Sequence, residues 1–316
     1  MIFTITVLFL VVGIGYLAKS IKLVKAKHAE ILQKIILNIT LPVAIVASFM
    51  NSNLTLDHTR IMATGIISTI IGLAAIMLFF KLIFKDKKIY GTAVPLAFFS
   101  NAGFLGLPIM QKLFGDEGLS LALSFQLSSH GAPLLFTVGA AIFAYYGIKG
   151  QGFGIKQVLR KVFLNPIIIA IPIGIILGSV TFPSQIIKTL NLISLPEITA
   201  KTIEVISSAN IFLIMFTVGL LLTPKRISKK FLMPTIIIVF TTLVAIPLLT
   251  FFLGKFLLNG GISHQIATLE SAMPTAVLIV LLVKQYKLEV ELAESVLFAS
   301  TILSIITLPM LQWWLF

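Results

Sequence analysis

Ten stretches of mostly apolar residues follow one another along this 316-residue chain, each near the ~20 residues that a helix needs to span a bilayer. Only 11% of all residues are charged and 58% are hydrophobic, which fits no soluble class. The stretches are Ile2–Lys19, Gln33–Met50, Ile61–Phe84, Tyr90–Leu113, Leu119–Tyr146, Phe163–Thr181, Val205–Thr223, Phe231–Phe256, Gln265–Tyr286 and Ala293–Trp314. The sequence therefore predicts an all-α polytopic membrane protein with ten transmembrane helices.

The basic residues are distributed unequally between the two predicted sides of the membrane. The chain has 24 Lys and Arg against 11 Asp and Glu, a net charge of +13 that by itself is compatible with an anionic partner such as nucleic acid. Nineteen of the basic residues lie in alternate loops on one side, and the other side has only Arg60, Lys112, Lys188, Lys201 and Lys255. Cytoplasmic loops carry the excess of Lys and Arg. We therefore expect a multi-pass protein of the cell membrane with both termini outside, and no nucleic-acid partner.

Motifs for enzymatic or cofactor chemistry are missing from the sequence. The chain has no cysteine and only four scattered histidines, so thiolate ligands are excluded and a metal cluster is not expected. Nucleophile-elbow, zinc-protease, P-loop and dinucleotide patterns are also absent. The expectation is a protein that is not an enzyme and has no cofactor.

Five predicted segments precede the basic stretch Gly147–Lys161 and five follow it. An odd number of spans per half places the two halves in opposite orientations, which is the layout of an inverted repeat. We predict a first repeat over residues 1–148, a cytoplasmic linker over 149–160 and a second repeat over 161–316.

The fourth segment contains its own helix breaker. Gly103 and Gly106 lower the cost of leaving helical geometry, and Pro108 has no N–H to donate. Pro274 stands at the corresponding place of the ninth segment. Broken helices at matching places of two inverted halves usually cross near the midplane of the membrane and bind the substrate there. We expect helices 4 and 9 to do so, with Gly103, Gly106, Pro108, Pro274 and the adjacent Thr275 at the substrate site.

Asn101 and Glu270 are the two polar residues of these segments that point to a ligand. Asn101 either binds an anionic group beside a half-helix N-terminus or only caps that half-helix. Glu270 is a carboxylate well inside a predicted span, four residues before Pro274, so the proline frees the Glu270 carbonyl. A carboxylate beside an unpaired carbonyl suits Na⁺ or H⁺ as a coupling ion. The alternative is that Glu270 faces an outer vestibule or is held neutral by hydrogen bonds.

Four further polar residues of the predicted spans are candidates. Gln126 and His130 share one helix face of the fifth segment and are assigned to the substrate, with a packing role for His130 as the alternative. Asn38 lies four residues before Pro42, and Asn210 is its expected counterpart in the second repeat. We assign both to ion coupling, with a simple kink as the alternative for Asn38.

The sequence resembles the auxin efflux carrier family, a membrane transport family that includes bacterial malate permease-like proteins. The resemblance covers nearly the whole chain and rests on Leu37–Pro42, Asn101–Pro108, Asn165–Pro166, Ala272–Pro274 with Lys284–Tyr286, and Ser304–Pro309. It implies an inverted-repeat fold similar to sodium/proton antiporters and bile acid symporters, a small organic anion as substrate, and a homodimer. It also implies that Asn101, Pro108 and Pro274 are crossover positions and that Gln126 belongs to the pocket.

Together these observations predict a secondary transporter that moves a small carboxylate, malate-like or auxin-like, by alternating access. Coupling to H⁺ or Na⁺ through Glu270 is expected, with no other metal. A membrane sensor that binds a carboxylate without moving it, and an uncoupled anion uniporter or channel, are the alternatives.

Overall fold

A computed structural model describes residues 2–52, 54–131, 134–147, 163–179, 194–222, 227–258 and 260–315. Throughout these residues the regular structure is helical. The α-helices are α1 (Ile2–Ser20), α2 (Ala29–Ile35), α3 (Leu41–Asn51), α4 (Leu56–Ile83), α5 (Lys87–Phe98), α6 (Leu107–Ser128), α7 (Ala140–Tyr146), α8 (Pro166–Ser179), α9 (Ser194–Leu221), α10 (Lys229–Phe240), α11 (Ile246–Leu257), α12 (Gly261–Ser271), α13 (Val277–Gln285) and α14 (Val290–Leu315). The predicted linker 149–160 lies outside the described residues.

Within the described ranges, six helical stretches are long and apolar enough to cross a membrane: Phe3–Ser20, Ala29–Asn51, Leu56–Ile83, Lys201–Leu221, Lys229–Leu257 and Val290–Trp314. Large apolar side chains such as Leu10, Ile70 and Phe256 stand exposed on the outer faces of these helices. A soluble monomer rarely shows so much exposed apolar surface. The chain is therefore a polytopic membrane protein of helical structure, and the division into two inverted repeats of five stays a prediction.

Short π-helical segments precede three of the prolines. The segments Ile36–Thr40, Ala102–Gly106 and Thr241–Ala245 are each followed, after one intervening residue, by Pro42, Pro108 and Pro247. In an α-helix the proline ring clashes with the carbonyl four residues earlier, and a wider π turn gives that carbonyl room. The prolines are thus accommodated without ending the helix.

The fourth predicted segment breaks at a different place from the expected one. The chain leaves helical geometry at residues 99–101, seven residues before Pro108, which is the second residue of α6. Proline fits the first turn of a helix, where its missing N–H has no partner to bond. In the ninth segment the gap between α12 and α13 covers residues 272–276 and contains Pro274.

Two hydrophobic clusters make up the core. Among the described residues, the first joins α1, α3, both halves of α6 and parts of α9 and α12, and the second joins α5, α7, α10, α13 and α14. Ala102 and Ala272 belong to the first cluster, whereas Phe99 belongs to the second. The two helix breaks therefore lie together where the clusters meet.

Candidate functional site

The two broken segments cross and pair through their backbones. Ser100 and Thr275 form an isolated antiparallel bridge. The N–H of Asn101 donates to the carbonyl of Pro274 at 2.5 Å, and the N–H of Ala276 donates to the carbonyl of Phe99 at 3.0 Å. Backbone polar groups that leave a helix inside a membrane need partners within the protein. Each broken segment supplies them for the other, although 170 and more residues separate the two along the chain.

Hydroxyl groups satisfy the free carbonyls at the end of α5. Thr275 Oγ1 donates to the Leu96 carbonyl at 2.8 Å, and Thr242 Oγ1 donates to the Ala97 carbonyl at 3.2 Å. The hydroxyl of Ser300 on α14 accepts the N–H of Thr275 at 3.2 Å. The last carbonyls of a helix have no intrahelical partner. The crossing is therefore bonded to the π segment before α11 and to α14.

Two helical stretches begin at the crossing and face one cavity. The π segment leading into α6 starts at Ala102, and α13 starts at Val277. The first N–H groups of a helix lack intrahelical partners and carry partial positive charge. A cavity of about 320 Å³ adjoins both starts, a size suited to a small molecule. Its polar lining consists of Gln33, Ser100, Asn101, Gln126, His130 and Asn165.

Four of the predicted substrate residues line this cavity: Asn101, Gly103, Gln126 and His130. Asn101 is 4% exposed, its side chain makes no capping hydrogen bond, and its Nδ2 has no partner among the described residues. His130 Nε2 is also buried without a partner, and its ring packs edge-on against Phe125. Unsatisfied buried polar atoms are rare and costly. The Asn101 amide is therefore available to a ligand in the cavity.

Glu270 lies directly behind the cavity wall. It is fully buried, its Oε2 accepts a hydrogen bond from Gln126 Nε2 at 2.8 Å, and within the part of the chain that the structure describes its Oε1 has no partner. Gln126 therefore touches the cavity on one side and the carboxylate on the other. With no exposed surface, Glu270 does not face an outer vestibule in this structure.

Gly106 allows the Glu270 carboxylate to approach the backbone. A Cβ at position 106 would lie 2.5 Å from Glu270 Oε1 and 2.7 Å from Oε2. A larger residue there would therefore force the carboxylate to move. Gly106 thus belongs to the carboxylate site and not to the cavity lining, whereas a Cβ on Gly103 would meet nothing within 4 Å.

The other predicted residues lie elsewhere. Pro274 and Thr275 form the crossing itself, and Pro108 sits in the first turn of α6. Asn38 is exposed, and its side chain donates to the Lys34 carbonyl at 2.8 Å. Asn210 is buried and accepts from Thr40 Oγ1 at 2.8 Å. The structure does not bring Asn38 or Asn210 to the cavity, and their coupling role stays a prediction.

The sequence patterns missed several residues of the site. Gln33 lines the cavity from α2, and Thr242 and Ser300 bond to the crossing from α10–α11 and α14. No helix breaker or characteristic spacing distinguishes these residues in the sequence. Hydroxyl residues such as Thr242 and Ser300 are common in apolar helices. Asn165 caps the start of α8, because its Oδ1 accepts a hydrogen bond from the Ile167 N–H at 3.0 Å. It also lines the cavity.

Comparison with known proteins agrees with a transport role for this geometry. The family described as "Membrane transport protein" matches residues 1–152 and 153–312. The chain is 28% identical to an uncharacterized transporter of Methanocaldococcus jannaschii, over 98% of this chain and 97% of that protein. It is 29% identical to an uncharacterized transporter of Methanothermobacter thermautotrophicus, over 97% of this chain and 96% of that protein.

Proposed function

This chain belongs to the membrane transport protein family, and on that premise we propose that it is a secondary transporter of a small organic anion. The observation that carries the proposal is the unpartnered Asn101 amide in a cavity where two helical stretches begin. Amide N–H groups and helix N-termini are donors that favour an anionic group. The cavity volume suits a small carboxylate, malate-like in size.

The proposed arrangement is the inverted repeat of five plus five helices, with both termini outside and the basic loops in the cytoplasm. The cavity lining includes Gln33, Asn165 and Leu281, which in the sequence stand close to Lys34, to the basic residues of 149–161 and to Lys284. On that topology the structure corresponds to a state open toward the cytoplasm. Rocking of one part of the molecule against the other would then expose the site to the opposite side.

Glu270 is the proposed site of a coupling ion. Uptake of an anion into an inside-negative cell works against the membrane potential, which is worth about 2.3 kcal/mol per charge at 100 mV. A buried carboxylate with one free oxygen beside the substrate cavity can hold H⁺ or Na⁺ and so offset this cost.

The test is uptake of radiolabelled organic acids into proteoliposomes, with pH and Na⁺ varied independently. We expect saturable uptake of at least one small carboxylate, driven by an inward H⁺ or Na⁺ gradient. Binding of a carboxylate without any uptake would support a sensor, and currents far above carrier turnover would support a channel. Either result would overturn the proposal.

A further inference from the structure

The residue between the cavity and the buried carboxylate is Gln126, whose amide has one donor end and one acceptor end. Its Nε2 donates to Glu270 Oε2 at 2.8 Å, and the same side chain lines the cavity. Glu270 itself does not line the cavity. The Gln126 amide is therefore the group through which the charge state of Glu270 can affect an anion bound in the cavity.

A deprotonated Glu270 disfavours an anion in two ways. An ionised carboxylate only accepts hydrogen bonds, so it holds the Gln126 NH₂ group, which turns the acceptor end of the amide away from the carboxylate. Among the described residues that line the cavity there is no Lys or Arg to offset a second negative charge. At short range in a low-dielectric interior such like charges repel strongly.

A protonated Glu270 reverses this hydrogen bond. A carboxylic acid carries an O–H donor, which is satisfied by the Gln126 Oε1. To accept this O–H, the amide turns by a half rotation about its terminal bond, and its NH₂ group becomes free to point into the cavity. There it joins the Asn101 Nδ2, which already lacks a partner.

We propose that Gln126 is the coupling residue of the transporter: its amide reverses when Glu270 takes up a proton and so switches the cavity from disfavouring to binding a carboxylate. This inference rests on the proposed anion transport and identifies its coupling ion as H⁺. The balance is one proton taken up by the Glu270 carboxylate for each anion bound. No covalent bond other than the O–H bond forms or breaks.

The space at Glu270 favours a proton over a metal cation. The α-carbon of Gly106 faces both carboxylate oxygens, and a single added carbon there would already be too close to them. Among the described residues, the contacts found for the Glu270 carboxylate are one amide N–H and this glycine, neither of which is an oxygen ligand. Sodium and other hard cations require several oxygen ligands.

Other titratable and charged groups lie on the elements packed against α12. They are His264 on α12, Asp57, His58, Arg60 and Lys81 on α4, Lys112, Asp116 and Glu117 on α6, Lys255 on α11, and Glu291 and Glu294 on α14. Asp57 accepts from Ser263, His58 contacts Ser120 and Asp116 accepts from Asn51. His130, which lines the cavity four residues from Gln126, is the main competitor as proton acceptor.

The experiment measures equilibrium binding of a radiolabelled monocarboxylate, the best substrate of the uptake screen, to purified full-length protein as a function of pH. For wild type we expect affinity to fall about tenfold per pH unit once Glu270 deprotonates, as one linked proton requires. Glu270→Gln should bind the anion at all pH values, because its neutral amide can donate to Gln126 Oε1. Gln126→Leu should bind weakly and without the pH slope.

Two controls separate a loss of the Gln126 coupling from a general loss of structure. Gln33→Leu removes another cavity glutamine that has no hydrogen bond to Glu270 in the structure, and it should keep the pH slope. Infrared difference spectra should still show the protonated C=O band of Glu270 in Gln126→Leu, which proves that the proton site survives while its effect on the anion is lost.

A pH slope retained in Gln126→Leu would overturn the coupling role of Gln126 but would not contradict the proposed anion transport. A slope that persists in Glu270→Gln and disappears in His130→Asn would place the proton on His130 and overturn the assignment. Uptake that follows Na⁺ and ignores pH would overturn it as well. Failure of wild type to take up any carboxylate would instead contradict the proposed function.

Discussion

At the scale of single residues, the site depends on buried polar atoms that have no hydrogen-bond partner among the described residues, and on a glycine, which has no Cβ. Asn101 Nδ2 and Glu270 Oε1 are buried without hydrogen bonds, and Gly106 has no Cβ where one would meet the carboxylate. These features cost stability or restrict the residue type without improving the packing. They are therefore the positions where substitution should change transport more than folding.

Replacing Asn101 by Ala should weaken anion binding. The amide donates to no protein group, so its loss removes a hydrogen bond to a charged ligand, worth about 1.5 to 3 kcal/mol or roughly tenfold or more in KM. Ion dependence should remain. The matched control is Asn51→Ala, which alters an exposed asparagine whose side chain donates to Asp116. Equal effects of the two variants on KM would remove Asn101 from the binding site.

Replacing Glu270 by Gln should abolish the dependence of uptake on the driving ion gradient while the purified protein still binds the anion. The neutral amide keeps the size of the side chain but can take up neither H⁺ nor a cation. Uptake into proteoliposomes with and without each gradient measures this. Glu117→Gln, a change of an exposed carboxylate, is the control. Unchanged gradient dependence in Glu270→Gln would exclude Glu270 as the site of the coupling ion.

Replacing Gly106 by Ala should displace the Glu270 carboxylate. The new Cβ would overlap both oxygens, and overpacking of this kind costs about 1 to 3 kcal/mol. We expect a lower melting temperature and loss of ion-coupled uptake. Gly103→Ala in the same π segment provides the comparison, because its Cβ would meet nothing within 4 Å. A fully active, equally stable Gly106→Ala variant would contradict the close contact seen here.

At the scale of elements, the structure shows how a membrane helix stops midway without leaving its backbone unpaired. α5 and α12 end at the crossing, where backbone pairing and the hydroxyls of Thr242 and Thr275 satisfy part of the freed carbonyls and N–H groups. The π segments before Pro42, Pro108 and Pro247 absorb the prolines within continuing helices. The break and the proline are thus separate features of the fourth segment.

Replacing Thr275 by Val should destabilise the crossing. Valine keeps the shape of the side chain but leaves the Leu96 carbonyl without its hydroxyl partner, and a buried unpaired group costs about 1 to 3 kcal/mol. The apparent melting temperature in detergent should fall. Thr202→Val, which removes an exposed hydroxyl bonded within its own helix, should leave that temperature nearly unchanged. Identical melting curves for both variants would show that the Thr275 bond does not hold the crossing.

At the scale of the whole molecule, the cavity and the buried carboxylate lie on two sides of Gln126. The cavity lining includes Gln33, Asn165 and Leu281, whereas Glu270, Gly106 and Met110 are buried in the first hydrophobic cluster or beside it. On the proposed topology, the site in this state is reached from the side of the basic loops.

A single cysteine at position 103 can test this asymmetry, because the natural chain has no cysteine. Gly103→Cys has room for its side chain in the cavity. A membrane-impermeant thiol reagent should label it from the face with the basic loops, and substrate should slow the labelling. Gly13→Cys on α1, which also has open space around it, is the control for labelling outside the cavity. Labelling of position 103 only from the opposite face would contradict the proposed orientation.

The helical class and the membrane character of the chain could be predicted from the sequence alone, whereas the number of ten spans stays a prediction. A helix in a bilayer satisfies its backbone within one segment, so each span must be a local run of apolar residues, and the candidate residues Asn101, Gln126 and Glu270 stand out against that background. The family resemblance, confirmed by the match over both halves of the chain, also followed from short motifs.

Only the tertiary structure decided how these residues meet. The contact between Gln126 and Glu270 joins positions 144 residues apart, and the approach of Gly106 to the same carboxylate depends on how α12 packs against the π segment. The fourth segment breaks at residues 99–101, where the 272–276 stretch pairs with it, and not at its own Pro108. Local patterns report what a segment can do by itself, whereas long-range pairing and close packing depend on which distant segment becomes its neighbour.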